Sequence, residues 1–181
     1  MIPSGSSNRH VVPVSALRGG TTSSYPRPHH PMRLSEFFSP DAISLNLKAG
    51  TKDEILAELV ALLNLDERAT ETLLRMLQRR ESLGSTGVGR GIAIPHCRSL
   101  VVSRLRLAYG HRREGIGFDA IDNRPVFDFF LIVAPPLEIS NQYLPVLGKI
   151  AQLAKEADVP QRLAALTSAD DFLRLLEEKG V

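Results

Sequence analysis

Apolar residues recur with a period of two in several stretches of the chain, which is the pattern of β-strands. Residues 43–47 alternate apolar and polar side chains and predict a half-buried strand. Residues 105–109 alternate in the same way with arginines and predict a half-exposed strand. Residues 126–133 form an apolar run interrupted only by Asp128, which predicts a central strand that the turn sequence at 122–125 introduces.

Other stretches have the 3.6-residue period of helices. Residues 51–54, Thr-Lys-Asp-Glu, form a capping box ahead of a helix whose apolar face lies within residues 55–63. A second helix is predicted to follow Asp66, to carry Met76 on its apolar face and to end before Gly84.

The C-terminal part of the chain is predicted to be helical. Residues 144–154 have a helical period that begins at Leu144, with Pro145 tolerated in the first turn. Asp158 is expected to cap a short helix, and residues 168–171 are expected to cap the last one. Strands and helices that alternate in this way predict an α/β domain.

The first 32 residues lack any sustained period and are rich in proline, glycine and serine. Such a segment buries too little apolar surface to offset the entropy of ordering it, so residues 1–32 are predicted to be a disordered tail. Its adjacent His29 and His30 supply no four-ligand metal set. Because domain-like patterning begins at Arg33, translation is also hypothesised to start at Met32, leaving open whether residues 1–31 are made.

Composition excludes several classes of protein. Of the 22 basic residues three lie in the tail, and the other 19 stand against 20 acidic ones, so no general attraction to nucleic acid is expected. The single cysteine, Cys97, forms no internal disulfide, and no apolar stretch reaches the roughly 18 residues that span a bilayer. We expect a cytoplasmic domain without membrane insertion and without a metal or organic cofactor.

Residues 84–96, Gly-Ser-Thr-Gly-Val-Gly-Arg-Gly-Ile-Ala-Ile-Pro-His, carry the chemistry. Clustered glycines indicate close backbone approach or positive φ, and successive N–H groups in such a loop can bind an anion. His96 follows a short apolar run and a proline, where its imidazole can face solvent and act as a nucleophile near neutral pH. Phosphoryl transfer needs little more than such a nucleophile and donors for the equatorial oxygens.

This segment, with Arg80-Glu81 before it and residues 118–126 after it, closely resembles the signature of the fructose, mannitol and nitrogen-type enzyme IIA family of the bacterial phosphotransferase system. The likeness extends from about Leu34 to the C-terminus, and the nitrogen-type branch fits best because no sugar-transport domain accompanies this one. The resemblance implies a single domain, residues 33–181, with a mixed β-sheet flanked by helices.

The resemblance also implies the roles of individual residues. His96 would be phosphorylated, on Nε2 in family members, by a phosphorylated carrier related to the histidine-containing phosphocarrier protein HPr. The output would be regulation of a target protein such as a kinase or transporter, whose identity is left open, as is the oligomeric state. The residues expected to shape or stabilise the phosphoryl site are Arg80, Ser85, Thr86, Gly87, Gly89, Arg90 and Tyr143.

Three positions depart from the family pattern. Tyr143 stands where family members commonly have a second histidine, and a phenol donates a hydrogen bond but supplies no positive charge. Arg90 replaces a small or amide residue and is expected to pair with phosphate or with an acidic partner. Cys97 and Arg98 replace glycine and lysine, and Arg90 and Arg98 are candidates to lower the pKa of Cys97.

Alternatives remain open at this stage. The domain could be a regulatory protein-binding module with weak or no phosphotransfer, as Tyr143 hints; a nucleotide hydrolase is disfavoured because the loop lacks a Gly-Lys-Ser/Thr ending. His111 is expected to lie in a solvated loop, and the nearby arginines, Arg104, Arg106, Arg112 and Arg113, are expected to lie on the solvent face of a strand. Asp119 and Asp122 are expected to cap a turn rather than to hold a metal.

Overall fold

In a computed structural model, the described part of the chain, residues 31–181, forms a six-stranded sheet and five α-helices after a short 3-10 helix, Leu34–Phe37. The strands are β1 (Phe38–Ser44), β2 (Gly87–Gly89), β3 (Ile92–Ala93), β4 (His96–Arg98), β5 (Arg106–Ile116) and β6 (Val126–Ala134). The helices are α1 (Lys52–Ala61), α2 (Glu67–Ser82), α3 (Tyr143–Lys155), α4 (Val159–Ala164) and α5 (Ala169–Glu178).

The predicted tail, including His29 and His30, lies outside the described residues except for its last two, and its disorder and the Met32 start stay predictions. Met32 itself is partly buried against the core.

Strand β6 is the centre of the sheet, as its apolar run predicts. The strand order is β1-β5-β6-β3-β2, and β4 pairs with β6 beyond β3. Strand β5 is antiparallel to β6, whereas β3 and β4 are parallel to it, so the sheet is mixed. Along β6, Ile92 lies opposite Asp128 and His96 lies opposite Ile132. This register places His96 and the start of β3 beside two different positions of β6, four residues apart.

Helices cover both faces of the sheet, and each face has its own apolar core. One core includes residues of α3, α4 and α5, in which the ring of Phe172 stacks on that of Tyr109 at 4.2 Å. The other includes residues of α1 and α2. The predicted half-exposed character holds at Arg104 and Arg106, which are exposed and partly buried, but not at residues 107–110, which are all buried between these two layers.

The caps predicted for the two N-terminal helices are present, whereas the bounds of the first strand and the buried face of α2 differ from the prediction. The Thr51 capping box is present, and the Asp66 carboxylate accepts the Ala69 N–H at 2.9 Å. The strand predicted at 43–47 instead spans Phe38–Ser44, and its pairing with β5 has an irregularity between Phe38 and Ile43. Met76 lies off the buried face of α2 and is 37% exposed.

At the C-terminal helices one of the two predicted caps is confirmed. Ser168 accepts the Asp171 N–H at 3.1 Å. Asp158 instead binds the Lys179 ammonium at 2.7 Å and makes no cap. Leu144 is exposed at the start of α3, whose buried face begins with Val146.

Candidate functional site

His96 is the first residue of β4, and its ring is held by a backbone carbonyl. The Nδ1 atom lies 2.6 Å from the oxygen of Ile94, which is buried. A carbonyl only accepts hydrogen bonds, so Nδ1 carries the proton and Nε2 keeps its lone pair. The side chain is half-buried, and β-pairing with Ile132 fixes its backbone. The local geometry therefore presents Nε2 as the free nitrogen.

The surroundings of His96 favour the neutral ring. Burial lowers its pKa, and the Arg80 guanidinium lowers it further, while the Ile94 hydrogen bond and the Glu81 carboxylate act in the opposite direction. The net effect is a pKa below its usual value of 6.5. A neutral imidazole is the form that attacks an electrophile, so the site is suited to nucleophilic chemistry at neutral pH.

Arg80 lies in the last turn of α2, where its guanidinium donates to the Gly84 carbonyl at 3.0 Å. This bond ties the side chain to the beginning of the glycine-rich loop. The Arg80 guanidinium is close enough to His96 to lower its pKa, and a role for Arg80 at a phosphoryl group stays a prediction.

Tyr143, the first residue of α3, lies beside His96 with 6.1 Å between the ring centroids. Burial raises the pKa of its hydroxyl, so the phenol stays protonated and can donate a hydrogen bond. The Arg98 guanidinium lies 4.5 Å from the centroid of the Tyr143 ring and donates to the Pro135 carbonyl at 2.8 Å. Sequence reasoning treated Arg98 only as a departure from the family and missed that it brings a cation to Tyr143.

The donors of the glycine-rich loop are largely engaged within the protein. Thr86 donates its N–H and its hydroxyl to Glu81, at 2.9 and 2.6 Å. Ser85 donates its hydroxyl to the Phe118 carbonyl at 2.5 Å and accepts the Gly87 N–H at 3.0 Å. In this geometry Ser85 and Thr86 hold the loop, and a direct role for them at a phosphoryl group stays a prediction.

The glycines of the loop allow close approach of other parts of the protein, including the carboxylate of Asp122. A Cβ atom on Gly87 would fall 2.7 Å from that of Ala120, so β2 packs directly on the segment before β6. Gly89 has a φ of +90°, and a Cβ there would lie 3.3 Å from the Asp122 carboxylate. The same carboxylate accepts the Arg90 N–H at 2.9 Å. The steric reason inferred from the sequence is right, but the neighbour is residues 118–122.

Arg90 does not reach the His96 site. Its guanidinium donates to the carbonyls of Ala154 and Ala157, both at 3.2 Å, at the C-terminal end of α3. His96 lies beside Tyr143 at the other end of this 13-residue helix, which at 1.5 Å per residue is about 20 Å long. The prediction that Arg90 stabilises the phosphoryl site is therefore wrong, because its guanidinium binds carbonyl groups at the C-terminal end of α3 instead.

Glu81 is the structural residue that sequence reasoning underused. It is 5% exposed, binds Thr86 through two hydrogen bonds and lies 3.3 Å from the Lys52 ammonium. The sequence feature that could have identified Glu81 is its position directly after Arg80. Glu81 joins α1, the end of α2 and the loop that leads to His96.

These features match known proteins. The family described as phosphoenolpyruvate-dependent sugar phosphotransferase system, EIIA 2, matches residues 36–179. The chain belongs to this family. It is 33% identical to the nitrogen regulatory protein of Pseudomonas aeruginosa, over 80% of this chain and 95% of that protein. It is 31% identical to the fructose-specific EIIA component of Haloferax volcanii, over 76% and 90% of the two chains. The crystal structure of the nitrogen regulatory protein IIA-Ntr of Neisseria meningitidis superposes with a TM-score of 0.68 at 30% identity, over 78% of this chain and 97% of that one.

Membership confirms the predicted fold class and makes this EIIA domain a component of a phosphotransferase system. No helix within residues 31–181 is long and apolar enough to cross a bilayer. Nor do the described His, Cys, Asp and Glu residues form a cluster of three that could hold a metal ion.

His111 was expected in a solvated loop, and this expectation is wrong. It lies on β5 of the EIIA domain, where Nδ1 is 2.8 Å from the Asp128 carboxylate. The same carboxylate oxygen accepts the Tyr109 hydroxyl at 2.6 Å, and both Asp128 and Tyr109 are buried. The polar residue that interrupts the apolar run of β6 is thus the acceptor of a buried network.

Cys97 is not activated by its neighbours. Burial raises the pKa of the thiol to about 12, and Arg90 lies at the far end of α3. Asp122 accepts the N–H groups of Arg90 and Arg124, as expected of a residue that caps a turn. Asp119 instead binds the Lys52 ammonium at 3.0 Å, so its predicted capping role is not seen.

Proposed function

We propose that this EIIA domain is a cytoplasmic phosphoryl carrier of the nitrogen-type branch that forms phosphohistidine on Nε2 of His96. The observation that carries the proposal is the 2.6 Å contact of Nδ1 with the Ile94 carbonyl, which leaves Nε2 unprotonated. Similarity to nitrogen regulatory proteins along most of their length supports the branch.

The transfer step moves one phosphoryl group between two imidazoles. Nε2 of His96 attacks phosphorus, the bond from phosphorus to the ring nitrogen of the donor's phosphohistidine breaks, and that nitrogen keeps the electron pair. The His96 ring retains its Nδ1 proton and gains positive character as Nε2 bonds phosphorus. The Ile94 carbonyl stabilises that charge through the existing hydrogen bond. No other proton has to move.

Three side chains are suited to stabilise the transferring group. The Arg80 guanidinium supplies positive charge, and the Tyr143 hydroxyl supplies a neutral donor. The Arg98 guanidinium over the Tyr143 ring adds a second cation near the position where family members carry an imidazole. This arrangement supports transfer despite the missing second histidine.

The donor is proposed to be a phosphorylated HPr-like carrier. Leu83 follows the end of α2 and is 80% exposed, and Leu144 follows Tyr143 and is 66% exposed. Exposed leucines three residues from Arg80 and one residue from Tyr143 give a docking protein apolar surface to bury. Phosphorylation adds about two negative charges at His96, and this charge would change the affinity of the domain for a regulated target such as a kinase or transporter.

One alternative has a specific observation in its favour. Because Tyr143 replaces the second histidine, the domain could act as a regulatory binding module with weak or no phosphotransfer. Incubating the purified protein with phosphoenolpyruvate, enzyme I and the small carrier of its own phosphotransferase system separates the two. We expect acid-labile label on His96 by mass spectrometry; a protein that stays unlabelled would contradict the carrier function and support the binding module.

A further inference from the structure

A cavity lined by arginines and apolar groups lies away from His96. It has a volume of about 650 Å³ and opens between the β2–β3 turn, the paired strands β5 and β6, and α4. The cavity lies beside Asp128 of β6. Asp128 is four residues, or about 13 Å, from Ile132, which is the strand partner of His96. The side chains that give it its chemistry are those of Arg90, His111, Arg113, Arg124, Phe127 and Asp128.

The cavity carries an excess of positive charge. Three guanidinium groups line it, against the single carboxylate of Asp128, which already accepts from Tyr109 and His111. The nearby Asp122 carboxylate accepts two backbone N–H groups and also lies close enough to the Arg124 guanidinium to interact with its charge. Arg113 and Arg124 are exposed, and within residues 31–181 neither forms an ion pair. Their charges are therefore available to a ligand.

Two other contacts give the cavity a fixed shape. The Arg90 guanidinium is anchored on the Ala154 and Ala157 carbonyls, so its position is set before any ligand arrives. The half-buried Phe127 ring lies against Gly115, where a Cβ would fall 2.8 Å from the ring and where φ is +66°. An aromatic ring beside one anchored and two exposed guanidinium groups suits a ligand that has an apolar body and an anionic head.

We propose that this cavity binds a small organic dianion, in which a phosphate monoester or a pair of carboxylates meets the arginines and an apolar body contacts Phe127. The site is independent of phosphoryl transfer at His96. Arg113 and Arg124 supply the charge that recognises the head, and Arg90 and His111 shape the wall.

Titration followed by ¹H–¹⁵N correlation NMR tests the site directly. The probes are phenyl phosphate and phthalate, which separate phosphate from dicarboxylate recognition, with benzyl alcohol as a neutral control. At least one dianion should cause saturable shifts at the amides of His111, Arg124 and Phe127. The double substitution Arg113→Gln with Arg124→Gln should weaken that binding at least tenfold.

The matched control changes two exposed arginines of α2, Arg68→Gln with Arg75→Gln, and should leave the affinity unchanged. The same spectra report whether each variant is folded. His96→Ala should retain binding, which separates this site from the phosphoryl site. The proposal is overturned if neither dianion gives saturable shifts, if the control pair weakens binding equally, or if the shifts centre on Arg80 and Tyr143.

Discussion

His96 lies on β4 and His111 lies on β5, the strands that flank β6 at this level. Each imidazole ring is oriented by a hydrogen-bond contact at Nδ1. The partner of His96 is the Ile94 carbonyl at 2.6 Å, whereas the partner of His111 is the Asp128 carboxylate at 2.8 Å. Both bonds orient an imidazole, but the acceptors differ in charge. The Ile94 carbonyl accepts from His96 and fixes its Nδ1–H tautomer, whereas the Asp128 carboxylate accepts from Tyr109 as well as contacting His111.

The environments extend this difference. Burial and Arg80 lower the pKa of His96, while the buried acceptor of His111 also satisfies the Tyr109 hydroxyl. A hydrogen-bonded histidine is therefore not in itself a nucleophile. The neutral acceptor at Nδ1 is what sets His96 apart from His111, and we propose on this ground that His96 is the nucleophile.

The largest expected difference between the two histidines is in phosphorylation. His96→Ala should reduce labelling by the cognate carrier by more than about 10³-fold, because it removes the nucleophile. His111→Ala should be labelled at a rate close to that of the wild type. Quantitative mass spectrometry of both variants measures this, and strong labelling of the His96 variant would refute the site.

Arg80→Gln should slow phosphoryl transfer by about 10²-fold, the typical cost of losing one preorganised donor. The neighbouring exposed Arg79→Gln serves as the matched control and should transfer normally. Arg80 lowers the pKa of His96, so its removal should raise that pKa.

The pH dependence of the rate follows from this shift. In the wild type the rate should fall only as pH drops through a pKa below 6.5, because protonation blocks Nε2. In the Arg80 variant the fall should begin at higher pH. NMR titration of the His96 ring measures both values, and identical titration curves would argue against a contribution from Arg80.

At the other histidine, the expected effect is on stability rather than on transfer. Asp128→Ala leaves the buried Tyr109 hydroxyl without its acceptor and should lower the free energy of unfolding by about 1–3 kcal/mol. Asp128→Asn retains an acceptor oxygen and should cost less. Urea denaturation measures both, and equal losses would show that the hydrogen bond is not the cause.

The loop before His96 offers a purely steric test. Gly87→Ala places a Cβ 2.7 Å from that of Ala120 and should cost about 1–3 kcal/mol of folding stability. Gly148→Ala meets nothing within 4 Å inside α3 and should instead stabilise by about 0.5–1 kcal/mol. If thermal denaturation shifts both variants in the same direction, the close packing of β2 on residues 118–122 is not what constrains Gly87.

The smallest effect is expected at Tyr143. Tyr143→His should preserve or raise the transfer rate, by up to about tenfold, because a charged donor binds phosphate more strongly than a phenol. Tyr143→Phe, which loses the hydroxyl, should transfer more slowly than the wild type. A histidine variant that transfers more slowly than the phenylalanine variant would show that the phenol has a role of its own.

Local signals in the sequence predict much of this fold. The capping box at Thr51, the cap at Asp66 and the apolar run of β6 each depend on neighbouring residues, and the structure confirms them. The burial of β5 depends on helices far along the chain, so alternation alone predicted a half-exposed strand.

The residues of the site likewise fall into those that a local pattern predicts and those that only tertiary contacts determine. His96 and Arg80 are predictable because they belong to a continuous signature. The acceptors of Arg90 lie more than 60 residues away, and those of His111 and Tyr109 lie on another strand, so neither pairing is readable from local pattern. Tertiary contacts decide which of several plausible polar residues face the reactive histidine.

The most direct test is the position of phosphorus on the His96 ring. Protein labelled with ¹⁵N and phosphorylated by its cognate carrier should show phosphorus coupled to Nε2 and a proton retained on Nδ1, because the Ile94 carbonyl occupies that nitrogen. Phosphorus coupled to Nδ1, or to a residue other than His96, would contradict the proposed mechanism.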